Sequence, residues 1–180
     1  MKMNTAKLDD RLVLNYTVRS SALGQVLVAA TDKGVAAVLL GDAKDVLFAD
    51  LQARYPHAQL VKGGEVLDRW SNTVLEIVAH PSLDHLVPLD VFQSTEFQRK
   101  VWKGLRNIPS GQTRSYTELA KSIGCPQSVR AVASACGANP LAVLVPCHRV
   151  LRSDGRLGGY RWGLERKLKL LELEDAILEK

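Results

Sequence analysis

In Val143-Leu-Val-Pro-Cys-His-Arg-Val-Leu-Arg152, a run of branched apolar residues is broken by Pro146, then by a thiol and an imidazole side by side, and resumes at Val150. Short apolar runs of this kind predict a buried strand. Cys147, His148 and Arg149 in its middle must then be paired or serve chemistry, because a polar group taken from water without a partner is costly.

Working outward, 180 residues suffice for one domain with a good core or two small ones. A hydrophobic content of 46% and a charged content of 24% are those of a globular chain, without repeats or low-complexity segments. The segment Met1 to Arg11 is polar, and the longest apolar runs, such as Val35 to Leu40, are too short to span a bilayer, so a cytoplasmic protein is expected. Three cysteines, Cys125, Cys136 and Cys147, form no Cys-x-x-Cys pair, which argues against a disulfide framework and against zinc.

Charge is unevenly spread. Residues 1–90 carry 9 Lys and Arg against 11 Asp and Glu, whereas residues 91–180 carry 15 against 8. Between Phe97 and Arg161, eleven cations face only Glu118 and Asp154. Such clustering fits a phosphate-backbone partner, and equally a solvated basic face.

Toward the N-terminus, Leu12 to Arg19, Gly24 to Ala30 and Gly34 to Leu40 predict a three-stranded antiparallel sheet, with a tight turn at Thr31-Asp-Lys-Gly34. Helical spacing follows over Ala43 to Tyr55 and Glu65 to His80. His57, His80 and His85 are read as surface or capping residues. The loop Pro81 to Pro88 precedes the change in charge balance, which places a domain boundary near Asp90 and gives domains of 1–90 and 91–180.

Past that boundary, a helix is predicted from Thr95, with Phe97, Val101, Trp102 and Leu105 on one face, ended by Ile108-Pro-Ser-Gly111. Ser115-Tyr-Thr-Glu118 has the capping-box pattern and starts the next helix. Gly124 turns the chain into a second helix over Ser128 to Cys136, which together make a helix-turn-helix. That second helix carries Arg130 at its start and small residues along its length, suited to close approach by another helix or by DNA. Arg152 to Arg156 reads as a hairpin turn with Leu157 to Tyr160 as its return strand, a wing beside the two helices. The last helix, about Gly163 to Leu178, repeats Leu164, Leu168, Leu171 and Leu178 and puts Glu174 or Asp175 inward, where an Arg or His148 must partner it.

Cys125 and Cys136 read as small buried hydrophobes. Cys147 differs, since a thiolate is the nucleophile and a neighbouring imidazole activates it. In an extended segment Cys147 and His148 point to opposite faces. A bridging water must then pass the proton, with a carboxylate behind the imidazole.

Pro146-Cys-His-Arg-Val150, with Asn139 eight residues before the cysteine and Glu174 twenty-seven after it, resembles the O6-alkylguanine-DNA alkyltransferase family. Arg130-Ala-Val-Ala-Ser-Ala-Cys136 and Gly159-Tyr-Arg-Trp-Gly163 extend the likeness over the whole chain and toward the Ada-like branch. The resemblance implies an α/β (α+β) protein: a ribonuclease H-like domain with the antiparallel sheet, then a helical domain with a winged helix-turn-helix. It implies a suicide methyltransferase of direct-reversal DNA repair, acting as a monomer without cofactor, metal, membrane or obligate protein partner. The partner is double-stranded DNA bearing O6-alkylguanine, bound from the minor groove with the nucleotide flipped; O4-methylthymine is a second candidate lesion.

Carried over position by position, Cys147 accepts the methyl group, deprotonated at the floor of a cavity. His148 is the water-mediated base, Glu174 orients it, and Asn139 holds the preceding turn. Tyr116 rotates the nucleotide's phosphate and donates to the extruded base, with Ser115 beside it on the DNA side. Arg130 fills the vacated place in the stack. Val150, Tyr160 and Arg161 line the base pocket, and Trp162 narrows it in favour of methyl over benzyl groups. A lesion-recognising module, a methylation-switched regulator and a thiol hydrolase are the competing classes. The cysteine opposes the first, the missing four-cysteine domain the second, and the basic helix-turn-helix the third.

Overall fold

A computed structural model of the chain describes residues 12–81 and 87–176. Residues 1–11, His85 within the predicted loop, and Leu178 at the predicted end of the last helix lie outside the described residues.

The expected hairpins form. β1 (Val13–Ser21), β2 (Gly24–Ala30) and β3 (Val35–Gly41) are antiparallel neighbours, in register at Tyr16 with Ala29 and Leu27 with Leu39. Gly24, at φ +95°, adopts the left-handed conformation that turns β1 into β2. The sheet has a fourth strand that the pattern did not predict: β4 (Gln59–Lys62) runs parallel to β1, giving the order β3-β2-β1-β4. Four mostly exposed residues at a sheet edge carry no hydrophobic alternation, so nothing in the sequence marks β4. Helix α1 (Lys44–Arg54) packs on β2 and β3, and α2 (Glu65–Ala79) on β1 and β2.

The outer edge of β3 is covered by the other half of the chain. Val35 exchanges backbone bonds with Pro88 and Asp90 at 2.8 and 2.9 Å, and Val38 with Pro140 and Ala142 at 2.8 and 3.0 Å. One apolar core therefore runs from Leu14 and Leu39 through Val101 and Leu119 to Leu170. In the second half α3 (Glu96–Arg106) and α4 (Tyr116–Ser122) each start on a complete capping box, Thr95 with Gln98 and Ser115 with Glu118. Both pack against α5 (Val129–Gly137), and α6 (Leu164–Leu173) closes the chain, in a mixed α/β architecture.

Two predicted strands are absent. The segment Val143–Arg152 is not extended: Val143 sits at φ +61°, Cys147–Arg149 form a 3-10 turn, and only Val150–Leu151 (β6) is a strand. Its backbone is diverted by one side chain, because Asn139 takes Leu141 N–H and donates to Leu141 O and Val145 O. The predicted return strand Leu157 to Tyr160 is likewise missing. The turn at Arg152 closes on Arg156 at 2.9 Å, but β6 pairs in parallel with β5 (Arg114–Ser115) instead. The carbonyls of Leu157 and Gly159, which a hairpin would use, are taken by a buried lysine, Lys167.

Candidate active site

The 3-10 turn puts Cys147, His148 and Arg149 on a tight arc under α6 rather than on alternate faces of a strand. The inward face of α6 keeps Leu171 of the predicted leucine stripe but not Leu164 or Leu168. Leu164 and Leu168 are 49% and 36% exposed, while Lys167, Leu170, Leu171 and Glu174 point in. Of the two acidic alternatives, Glu174 is the buried one. Its predicted partner is both an arginine and the histidine: Arg149 Nε and Nη2 reach Oε2 and Oε1 at 3.0 and 2.9 Å, and His148 Nε2 lies 2.8 Å from Oε1.

Those contacts fix protonation. Arg149 is further tied to Ile108 O at 2.5 Å and Pro81 O at 3.3 Å, which fixes its guanidinium against Glu174. Glu174 is drawn below the ordinary carboxyl range by its bonds from His148 and Arg149, which outweigh burial. Burial lowers the His148 pKa against the pull of Glu174, so its ring is neutral near pH 7. A neutral ring facing a carboxylate carries its proton on Nε2, which leaves Nδ1 as an acceptor. Nδ1 has no hydrogen-bond partner among the described residues.

Cys147 is 7% exposed. Asn139 Nδ2 donates to its Sγ at 3.2 Å, a contact beyond the predicted turn-holding role. Burial pushes the thiol up to about 11, although Asn139 and the charge of Lys167 pull it down. The resting group is a thiol, so the expected standing thiolate is corrected: a proton must leave as the nucleophile is used.

Lys167 is the functional residue that the sequence reading missed. Fully buried, it donates to Val150 O at 2.6 Å, Gly159 O at 3.4 Å and Leu157 O, and burial lowers it to about 8. Its place on the Leu170, Leu171 and Glu174 face was the available signal. Val150 is fully buried beside it.

Tyr116 opens α4, half-buried, its hydroxyl near the α-carbon of Gly158. Burial, reinforced by Cys136 and Cys147, raises its pKa, so it remains a donor. The hydroxyl of Tyr160 and the indole N–H of Trp162 are buried and without hydrogen-bond partners among the described residues. Buried polar atoms left unpaired around a thiol are what a polar ligand would satisfy. A cavity of about 980 Å³ is lined by Tyr116, Ala133, Arg152, Arg156, Gly158 and Leu168; Cys147, Tyr160 and Trp162 are not among its lining residues. A cleft of about 1030 Å³ near Trp70 and Asp90 contains no thiol or imidazole.

The predicted residues Arg130, Ser115 and Arg161 do not line the cavity at Tyr116. Arg130, second in α5, is exposed. Ser115 is occupied with Glu118, and the side chain of Arg161 reaches away to Asp50 at 3.0 Å. Cys136 is buried as expected; Cys125 is partly exposed, 3.4 Å from Lys100 Nζ, because it sits in the turn between α4 and α5. No helix among the described residues is long and apolar enough to cross a membrane, and no metal-binding cluster is present among them.

The acid response of the buried site follows from His148 and Glu174. His148 and Glu174 both have folded pKa values below their ordinary ones, so the unfolded chain binds more protons and stability is lost as pH falls. Melting temperature should start to drop below about pH 6.5 and fall further near pH 4. His148→Gln should remove the first part, as calorimetry across that range would read.

Residues 96–176 match the family model for the 6-O-methylguanine DNA methyltransferase DNA-binding domain. The bifunctional transcriptional activator/DNA repair enzyme Ada of Escherichia coli is 43% identical over 92% of this chain, which spans 46% of that protein, about half its length. The inducible methylated-DNA–protein-cysteine methyltransferase of Bacillus subtilis is 36% identical over 89% of this chain and 84% of that one. Among solved structures, Mycobacterium tuberculosis OGT in complex with DNA superposes with a TM-score of 0.75 at 33% identity, covering 89% of this chain and 92% of that one. Identity at this level, sustained along nearly the whole of two such proteins and joined to a buried cysteine with a histidine and glutamate behind it, makes the chain a member of the methylated-DNA–protein-cysteine methyltransferase family.

Proposed function

We propose that this protein repairs alkylated DNA by moving the alkyl group of O6-methylguanine onto Cys147, once per molecule. The observation that carries the reading is the linked set Asn139, Cys147, His148 and Glu174, with bonds of 3.2 Å to the sulfur and 2.8 Å behind the imidazole. The thiol proton passes through a water to His148 Nδ1, and Glu174, itself held by Arg149, stabilises the imidazolium that forms against the opposing charges of Arg149 and Lys167. The sulfur lone pair then bonds to the methyl carbon as the carbon–oxygen bond breaks. Its electron pair stays with guanine, which takes up one proton. A thioether has no leaving group, so the protein is consumed.

DNA is the partner. The α4–α5 pair acts as the helix-turn-helix, entering the minor groove because the small residues of α5 permit close approach. Arg130, exposed at the start of α5, fills the gap left by the flipped nucleotide. Tyr116 turns its phosphate and, with Ser115 beside it, guides it inward. The base stacks by Tyr160 against the backbone of Val150 and Arg161, under the turn at 152–156. Residues 91–180 form this DNA-binding, alkyl-accepting domain, and residues 1–90 a ribonuclease H-like domain that supports it.

Duplex DNA carrying a labelled O6-methylguanine should transfer label until one methyl is bound per protein molecule and then stop. Continued turnover beyond that equivalence would reject suicide transfer.

A further inference from the structure

Among the described residues the N-terminal sheet and its helices give no side chain to the thiol site, yet Asp42 and Asp50 hold the segment that directly follows Leu157, Gly158 and Gly159 of the cavity lining. Asp50, on α1, accepts from Arg161 Nη2 at 3.0 Å. Arg161 stands between Tyr160 and Trp162, whose rings meet edge to face with centroids 5.3 Å apart. A little further along, Arg166 donates to Trp162 O at 2.9 Å and to Leu23 O at 2.7 Å, and pairs with Asp42. From the other side Lys167 takes the carbonyls of Leu157 and Gly159.

The polar ends of Tyr160 and Trp162 have no hydrogen-bond partners among the described residues. Only apolar contact seats the two rings from within, so the tethers outside decide where the wall stands. Arg54 Nε lies 3.5 Å from the same Asp50 oxygen, so that carboxylate is held between two guanidinium groups. Both side chains of the Asp50–Arg161 pair are about a third exposed, and such a pair adds little to stability. Its effect is positional.

We infer that Asp50 is a positioning residue which, through Arg161, holds Tyr160 and Trp162 inward and so sets the size of alkyl group the pocket admits. The inference rests on the alkyl-transfer reading above and assigns the N-terminal half a share in specificity. Releasing the tether lets the wall relax outward, which disfavours the closely fitted methyl group and admits larger ones.

Single-turnover rates should be compared for duplex DNA with O6-methylguanine and for the free base O6-benzylguanine, using wild type, Asp50→Asn, Asp50→Glu and Asp45→Asn. Asp50→Asn is expected to raise the benzyl-to-methyl rate ratio about tenfold, since displacements of an ångström at a reacting centre change rates by one to two orders. Asp50→Glu should restore most of the original ratio, and Asp45→Asn, elsewhere on α1, should leave it alone. Hydrogen exchange supplies a readout independent of activity: in Asp50→Asn the amides of residues 158–163 should exchange faster. Among them is Gly163 N–H, which donates to Tyr160 O at 3.1 Å. An unchanged ratio, an equal fall of both rates, or unchanged exchange overturns the inference. Absence of transfer by the wild-type chain would refute the alkyl-transfer reading and this inference with it, whereas wild-type transfer with an unchanged ratio refutes this inference alone.

Discussion

Glu174→Ala is expected to destabilise the protein by about 3–5 kcal/mol, the usual penalty for removing one partner of a buried ion pair. The carboxylate side chain is fully buried, and its loss strands Arg149 and His148 together. Gly111 N–H, which reaches Oε2 at 3.3 Å, loses a partner as well. For a domain of this size the melting temperature should fall by roughly 10 °C. The folded fraction should also react about a thousandfold more slowly, because the imidazole loses the group that fixes its tautomer and balances its charge. Glu174→Gln keeps the volume and an acceptor for His148 but gives up the charge opposite Arg149, so it should recover stability more than rate. Denaturant melts and single-turnover kinetics separate the two effects, and a Glu174→Ala protein that reacts at the wild-type rate would remove His148 from the mechanism.

Lys167→Met should have the second largest effect. Methionine fills nearly the same space but leaves the carbonyls of Val150, Leu157 and Gly159 without their shared donor. A buried carbonyl left unpaired costs about 1–3 kcal/mol, so a loss of roughly 3 kcal/mol is expected, moderated where the loop can reach water. The rate should fall about a hundredfold, because the segment that Lys167 gathers is the pocket wall. Urea melts and transfer rates check both. A stable variant with unchanged rate would mean that the loop between β6 and α6 holds its shape without the lysine.

These two residues also show what could be read from the chain before its structure. Glu174 was legible because a carboxylate fell in phase with Leu171 on an apolar helix face, even though Leu164 and Leu168 of the expected face are exposed. Lys167 lies on the true face, yet a lysine among leucines reads as surface, since burial of an ammonium group is rare without partners. Its partners are the carbonyl of Val150 in β6 and two carbonyls of a loop with no pattern of its own. The capping boxes at Thr95 and Ser115 were legible for the opposite reason: each is closed within four residues.

The cysteine segment was misread because its conformation is set from elsewhere. Val143, Leu144 and Val145 have the composition of a strand, but Asn139 claims the neighbouring backbone groups and Pro146 interrupts any ladder. β4 escaped notice since an edge strand of four residues needs no apolar face. The link from Arg161 to Asp50 spans 111 residues and belongs to tertiary structure alone. Arg130 drew notice at the start of α5 in the basic half of the chain, whereas the role proposed for Tyr116 came only with the family resemblance.

Alkylation of the Cys147 sulfur is the step on which the rest depends. The measurement that tests it most directly is tandem mass spectrometry of the peptide containing Cys147, after the protein is incubated with duplex DNA bearing a single O6-methylguanine. The predicted result is one added methylene on Cys147, with Cys125 and Cys136 unmodified, guanine restored in the DNA, and no adduct in Cys147→Ala. A methyl group found on another residue, or lesion loss with Cys147 unmodified, would contradict it.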